Sequence, residues 1–379
     1  MATPLKPDTR EQQTKLAMLL QDQGPRITEI ARQLDERPET VRYWFKHNIL
    51  GGRGGVAYQA VPNYGGLGFK RIHAIIDFAD EYLPHAKDIL LSMSRLCYLS
   101  YCFRIFPSGY YSVTLTLPSR VVHRYSRLLQ ELQDIGILRI VESGSLEWVH
   151  VTPMKARYFD FGKGRWDFDW SAVASEKART VPISPSEPNE YDYEDLRILE
   201  KLQVDATKSL GEISRELKLP YQRLYNHFGH VLSRKQISLY RIVWPATGPK
   251  DQEESKAWQQ HHAHMAIQLL VRGSSKSESF TLLNKMERLP FNWANGGGEG
   301  SFLSEFVVPL EYYSETFRYL SETLQDSRRR TEFYIANQAE AMSFTIPTYL
   351  YDRDADTWSD RSDDALSKFK KLVVTVKGR

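Results

Sequence analysis

The chain has 379 residues, of which 41% are hydrophobic and 26% charged, and a formal net charge of +3. This composition excludes a mainly disordered chain, and the length leaves room for several domains. No run approaches the ~18 consecutive apolar residues of a membrane-spanning helix, and the first residues lack the apolar core of a signal peptide, so a cytoplasmic protein with no membrane partner is expected. The 50 basic residues nearly balance 47 acidic ones, so any charge that serves nucleic acid must be local. Cys97 and Cys102 are too few for a disulfide framework or an all-cysteine zinc site. Their odd spacing in an apparent strand puts them on opposite faces.

In chain order, Ile27 to Leu34 reads as a short helix, Asp35-Glu36-Arg37 as a turn, and Pro38 as the start of a second helix that runs to about His47. Val41 and Phe45 face inward, leaving Glu39, Thr40, Arg42, Tyr43, Lys46 and His47 outward. A strand is predicted over Phe69 to Phe78, a helix from about Pro84 to Arg95, and strands over Tyr98 to Phe106 and Tyr110 to Leu117 around Pro107-Ser108-Gly109. A helix beginning at Pro118-Ser119 ends at Gly136, and a strand follows from Ile137 to Glu142. The order β-α-β-β-α-β is the ferredoxin-like plan.

The second half repeats the first. Ile27-Thr28-Glu29-Ile30-Ala31-Arg32-Gln33-Leu34 recurs as Leu210-Gly211-Glu212-Ile213-Ser214-Arg215-Glu216-Leu217, and Pro38 recurs as Pro220. Predicted strands cover Met265 to Val271, Phe291 to Ala294, Phe302 to Val308 and Glu332 to Ala336. Helices are predicted from about Glu278 to Arg288 and after Pro309, with a turn at Gly296-Gly297-Gly298. The tails rhyme as well: Tyr158-Phe159-Asp160 with Trp166-Asp167-Phe168-Asp169-Trp170, then Tyr349-Leu350-Tyr351-Asp352 with Trp358. The expected division is a helix-turn-helix domain over 10–60, a ferredoxin-like domain over 61–179, a linker over 180–190, a second helix-turn-helix domain over 191–244 and a second ferredoxin-like domain over 245–379, in an α+β fold.

An outward face of long polar and cationic side chains suits a major groove. The second copy offers Tyr221, Gln222, Arg223, Tyr225, Asn226 and His227, with Arg234 and Lys235 nearby. Residues 206–241 hold seven basic residues against two glutamates, whereas 38–60 hold three (Arg42, Lys46 and Arg53) against Glu39. Double-stranded DNA is therefore the expected partner, bound more strongly by the second copy.

Asn48-Ile49-Leu50-Gly51-Gly52, Asn63-Tyr64-Gly65-Gly66-Leu67-Gly68 and Cys102-Phe103-Arg104-Ile105-Phe106-Pro107-Ser108-Gly109-Tyr110-Tyr111 resemble the end of the recognition helix, the linker and the effector-domain hairpin of the leucine-responsive/AsnC (feast-famine) regulators. The resemblance implies a sequence-specific transcription regulator rather than an enzyme. It implies sheets paired as an internal pseudo-dimer, with a further homodimer left open. It also implies a small-molecule effector near Ser108, Gly109, Tyr111, Gly300 and Ser301. The chain departs from the family at Tyr111-Ser112 and at Phe302-Leu303, where an acidic residue is common.

The same architecture also resembles siroheme decarboxylases. In that alternative His73, His123 and Tyr111 are the candidate acid/base groups. A protein-interaction scaffold is the third alternative. No cofactor and no metal is expected: His261-His262-Ala263-His264 lacks neighbouring ligands to complete a zinc site. Arg328-Arg329-Arg330 reads as a solvated helix-end cluster.

Overall fold

A computed structural model describes residues 10–51, 56–174, 189–244 and 264–378. Arg53, His261, His262, most of the expected linker and the side chains of Arg328 and Arg329 lie outside the described residues. Helix α1 (Arg10–Gln23) buries Leu16, Ala17 and Leu20. Helix α2 (Ile27–Leu34) stops at Asp35, which turns left-handed at φ 54° while the N–H groups of Asp35 and Glu36 return to the carbonyls of Arg32 and Ala31. Helix α3 (Pro38–Trp44) starts on the proline, whose missing N–H costs nothing there. From Phe45 to Leu50 the chain widens into a π-helical turn instead of continuing regularly.

After strand β1 (Ala57–Pro62) come β2 (Phe69–Phe78), α4 (Ala86–Leu96), β3 (Leu99–Phe106), β4 (Tyr111–Pro118), α5 (Val122–Asp134) and β5 (Leu138–Leu146). Strand β6 (Trp148–Val151) follows after Glu147 alone, and then the short β7 (Phe159–Asp160), β8 (Arg165–Trp166) and α6 (Trp170–Ala174). The second half contains α7 (Tyr193–Val204), α8 (Leu210–Leu217), α9 (Tyr221–Ser233) and β9 (Ile237–Val243). It continues with β10 (His264–Arg272), α10 (Lys276–Met286), β11 (Asn292–Gly297), β12 (Ser301–Pro309), α11 (Tyr313–Thr323) and β13 (Thr331–Ser343). Strands β14 (Tyr351–Asp352) and β15 (Thr357–Trp358) and helix α12 (Ser362–Lys377) end it. Helix α8 copies α2 down to its end, where Lys218 turns left-handed at φ 55°. Its start is better secured, because Ser209 and Glu212 cap one another's backbone N–H groups.

The fold is α+β around a nine-stranded antiparallel sheet in the order β5-β2-β4-β3-β13-β10-β12-β11-β6. Its first and last strands are consecutive in the chain, so the sheet curls until its ends meet. A Cβ on Gly144 of β5 would lie 3.1 Å from Ser301 Oγ of β12. Two strands cross between the halves. Strand β13 pairs with β10 through Thr331–Ala336 and with β3 from Ile335 onward, while β6, the continuation of β5, pairs with β11. Both crossing strands outrun their predicted lengths. The glycine run shifts for the same reason: Gly296 and Gly297 belong to β11, not to the turn. A Cβ on Gly297 would meet the Trp148 ring at 2.8 Å, so β6 approaches β11 only because glycine stands there.

Helices cover the outer face of the sheet. The inner face carries a separate apolar cluster of Ile75, Phe103, Ile105, Leu146, Leu270 and Leu303. Cys97 and Cys102 are both free, and both belong to the large helix-side core. The expectation of opposite faces fails because Cys97 ends α4 rather than lying in β3, and the pairing register slips between Leu99 and Tyr101.

Each half straps the other. Trp166 packs edge-on against Phe291 and Trp244, and Phe168 stacks on Tyr312 at 4.7 Å. In return Trp358 packs against Phe69 and Tyr98, and Tyr98 donates to the Ser359 carbonyl at 2.5 Å. Strands β1 and β9 also pair, with Tyr58 and Tyr240 stacked 5.8 Å apart. No helix among the described residues is long and apolar enough to cross a membrane.

Candidate active site

Strands β2 and β10 occupy matching places in the two halves, and the fifth residue of each is His73 and Gln268. These two meet across the inside of the curled sheet, His73 Nε2 lying 3.2 Å from Gln268 Oε1. Ser112 Oγ lies 3.0 Å from both atoms. All three residues are at most 3% exposed. Gln268 Nε2 donates to Glu305 Oε1 at 3.2 Å, which fixes the amide orientation. Its Oε1 is then an acceptor, so His73 carries its proton on Nε2. Burial holds the His73 imidazole neutral, with its pKa lowered to about 4 against a smaller opposing effect of the Gln268 hydrogen bond.

Glu305 lies among cations. Desolvation pushes its carboxyl up, while the Gln268 hydrogen bond and the charges of Arg71 and Arg241 pull it down. Burial lowers both guanidinium groups, Arg241 to about 9. Arg71 lies over the Tyr64 ring at 4.6 Å, and its Nε is buried without a hydrogen-bond partner among the described residues. Arg241 reaches in from β9, lies over the Trp293 ring at 3.4 Å and donates to the Trp293 carbonyl at 2.8 Å. It lines a cavity of about 20 Å³ with Thr152, Asn292 and Trp166, room for a single water. Tyr101 faces Glu305 as well, and burial and that charge push its phenol up. The set thus combines a neutral imidazole, a hydroxyl, a carboxyl and two desolvated cations. It can hold an anion and move a proton beside it.

The halves have diverged at this junction. The register places Thr114 opposite His73 on β4, and Glu305 opposite Gln268 on β12. One half supplies the imidazole and the other the carboxyl, which makes one asymmetric site per chain.

Of the acid/base candidates, the structure brings only His73 to this junction. His123 is exposed on α5, and Tyr111 is packed edge-on against Phe78 on the helix side of the sheet. The proposed effector residues stay at their own hairpins: Ser108 Oγ accepts from Tyr110 N, Gly109 holds φ +78°, and the Gly298 N–H donates to the Ser301 carbonyl beside Gly300.

Among the expected DNA contacts, Glu39, Arg42, Lys46 and His47 are exposed, Thr40 is half-buried, and Tyr43 rests on His47 at 4.5 Å. In the second copy Tyr221 and Tyr225 are exposed, and Gln222 donates to Asn226. Arg223 pairs with Glu194 at 2.9 Å, His227 with Asp195 at 3.0 Å and Arg234 with Glu190 at 3.4 Å. The Lys235 carbonyl accepts from Asn63. Arg330 of the arginine cluster pairs with Glu278 and donates to the carbonyls of Arg272 and Gly273.

No family model and no curated protein sequence matches the chain. Among solved structures it is similar to the siroheme decarboxylase NirDL, with 10% identity and a TM-score of 0.48 over 97% of this chain and 100% of that one. It is similar to the same enzyme in complex with an iron-uroporphyrin III analogue, with 10% identity and a TM-score of 0.47 over 96% and 99% of the two chains. It also resembles PH0061 over 41% of this chain and 98% of that one, with 14% identity and a TM-score of 0.32. Both matches along the whole chain are structures of an enzyme and neither is of a transcription regulator, contrary to the expectations of a DNA-binding regulator and of a protein without enzymatic activity.

Proposed function

We propose that the chain is an enzyme that acts on a carboxylate-bearing substrate at the junction of its two half-sheets, as a decarboxylase. The observation that carries this reading is the desolvated set of Arg71, His73, Gln268, Glu305 and Arg241. Arg71 and Arg241 supply the positive charge that draws the carboxylate to the junction, and Arg71 keeps an Nε that no described residue satisfies. When carbon dioxide leaves, the substrate carbon keeps the electron pair and takes a proton, which His73 delivers. A neutral imidazole is a poor acid, but a bound anion raises its pKa and lets it take that proton first.

The finer architecture supports the same placement. The α2–α3 and α8–α9 pairs read as two helix-turn-helix units, and the two β-α-β-β-α-β runs as ferredoxin-like units, divided at 10–60, 61–179, 191–244 and 245–379. The site then lies where the two ferredoxin-like units meet. Siroheme and related iron tetrapyrroles, rich in carboxylates, are the first substrates to test.

The test is an absorbance titration with siroheme and iron-uroporphyrin III, alongside turnover. Arg71→Ala and Arg241→Ala are each expected to weaken binding about 10- to 100-fold, the worth of a charge-assisted hydrogen bond. His73→Ala should leave binding within a few-fold and lower turnover by about 10² or more. Turnover that survives all three changes would place the chemistry elsewhere.

A further inference from the structure

Helix α9 presents His227 and His230, three residues apart and so on one helical face. Their rings meet edge-to-face at 5.5 Å. Helix α7 brings Asp195 against them, and one ligand atom from each of Asp195, His227 and His230 lies within 4.8 Å of the other two. His227 Nδ1 is 3.0 Å from Asp195 Oδ1 and 3.3 Å from Asp192 Oδ2. We propose that Asp195, His227 and His230 form a binding site for a divalent transition-metal ion, zinc, which ties α7 to α9.

Three observations converge. Asp195 is 0% exposed, and a buried carboxylate is favoured by a cation bound against it. The orientation of Asp195 is already fixed, because Gln236 Nε2 donates to its Oδ2 at 3.2 Å, the kind of outer partner that holds a metal ligand in place. Gln236 is itself 0% exposed, and its Oε1 is buried without a partner among the described residues. His230 is exposed, which gives an ion a way in.

Two imidazoles and a carboxylate match zinc chemistry; calcium and magnesium demand more oxygen ligands. Zinc bonds of about 2.0–2.1 Å would set the ligand atoms about 3.4 Å apart, so the His227–Asp195 pair opens slightly from 3.0 Å while rotation of the exposed His230 ring brings its nitrogen in. Asp192 or a water completes the tetrahedron. This site is independent of the reaction proposed above.

The experiment uses the full chain, stripped with chelator, titrated with zinc against a chromogenic chelator and with cobalt as a visible-absorption reporter. One equivalent should bind, with the absorption of tetrahedral cobalt and a higher melting temperature in zinc. His230→Ala and Asp195→Asn should each weaken zinc binding 10-fold or more, with far-UV circular dichroism unchanged in His230→Ala. Gln236→Leu should cost about 10- to 100-fold. The absence of saturable binding would overturn the proposal. So would zinc that is retained in His230→Ala and lost when His261, His262 and His264 are replaced.

Discussion

At the scale of single residues His73 is central, held neutral at a junction it shares with Ser112 and Gln268. Its pKa falls to about 4 in the fold, against about 6.5 in the unfolded chain. Between those values the unfolded chain binds a proton that the native state refuses, so native stability falls as pH drops from 6.5 towards 4. Above 6.5 the contribution is fully present. The loss between pH 7 and pH 5 is about 2 kcal/mol for this one group. Glu305 works the other way, since its raised carboxyl pKa favours the native state as pH falls. The comparison that isolates His73 is therefore urea unfolding of the wild type and His73→Gln at pH 7 and pH 5. The wild type should lose about 2 kcal/mol more than the variant across that interval. Equal losses would mean that His73 is not desolvated.

The sequence named His73 among its acid/base candidates but none of its partners. Gln268 lies 195 residues away, and a lone glutamine on a strand carries no spacing signal. Arg71 and Arg241 were equally silent, because nothing local distinguishes a buried arginine from a solvated one. Of the metal-site residues the sequence singles out only His227, as a DNA contact, and the carboxylate that faces the His227–His230 pair comes from another helix.

At the scale of elements, the apolar periodicity located most strands and helices of both halves, because each has a buried face that sets a local repeat. It did not reveal that β13 and the β5–β6 strand continue past their own half, since there the partner is remote and, in the β5–β6 strand, glutamates interrupt the pattern at Glu142 and Glu147. The two copies also differ in how their helices begin. Ser209 and Glu212 form a reciprocal cap, whereas Arg26 offers no side-chain cap to α2. Ser209→Ala should cost about 1 kcal/mol in urea unfolding, and Arg26→Ala close to nothing.

The aromatic tails repeated visibly in sequence, but what they cover did not. Trp166 and Trp358 are each buried against the opposite half. Trp166→Ala and Trp358→Ala should each destabilise by about 3–5 kcal/mol. Either loss should lower one shared unfolding midpoint instead of releasing a separate early transition.

At the scale of the molecule, three sets of strand pairs and two reciprocal straps bind the halves into one cooperative body. Urea unfolding followed by tryptophan fluorescence and by far-UV circular dichroism should give coincident single transitions. The duplication leaves a site on its internal axis where the copies have parted, His73 from one half facing Gln268 and Glu305 from the other. The duplication is legible in the sequence, whose outward helices point to a function on the surface. The structure instead gathers desolvated charges at the junction, which no outward pattern foretells.

The most direct test of that account is mass spectrometry of siroheme and iron-uroporphyrin III after incubation with purified wild type and with His73→Ala. Products that have lost carbon dioxide are expected with the wild type, and strongly reduced conversion with the variant. Unchanged substrate with the wild type, or equal conversion by both proteins, would contradict it.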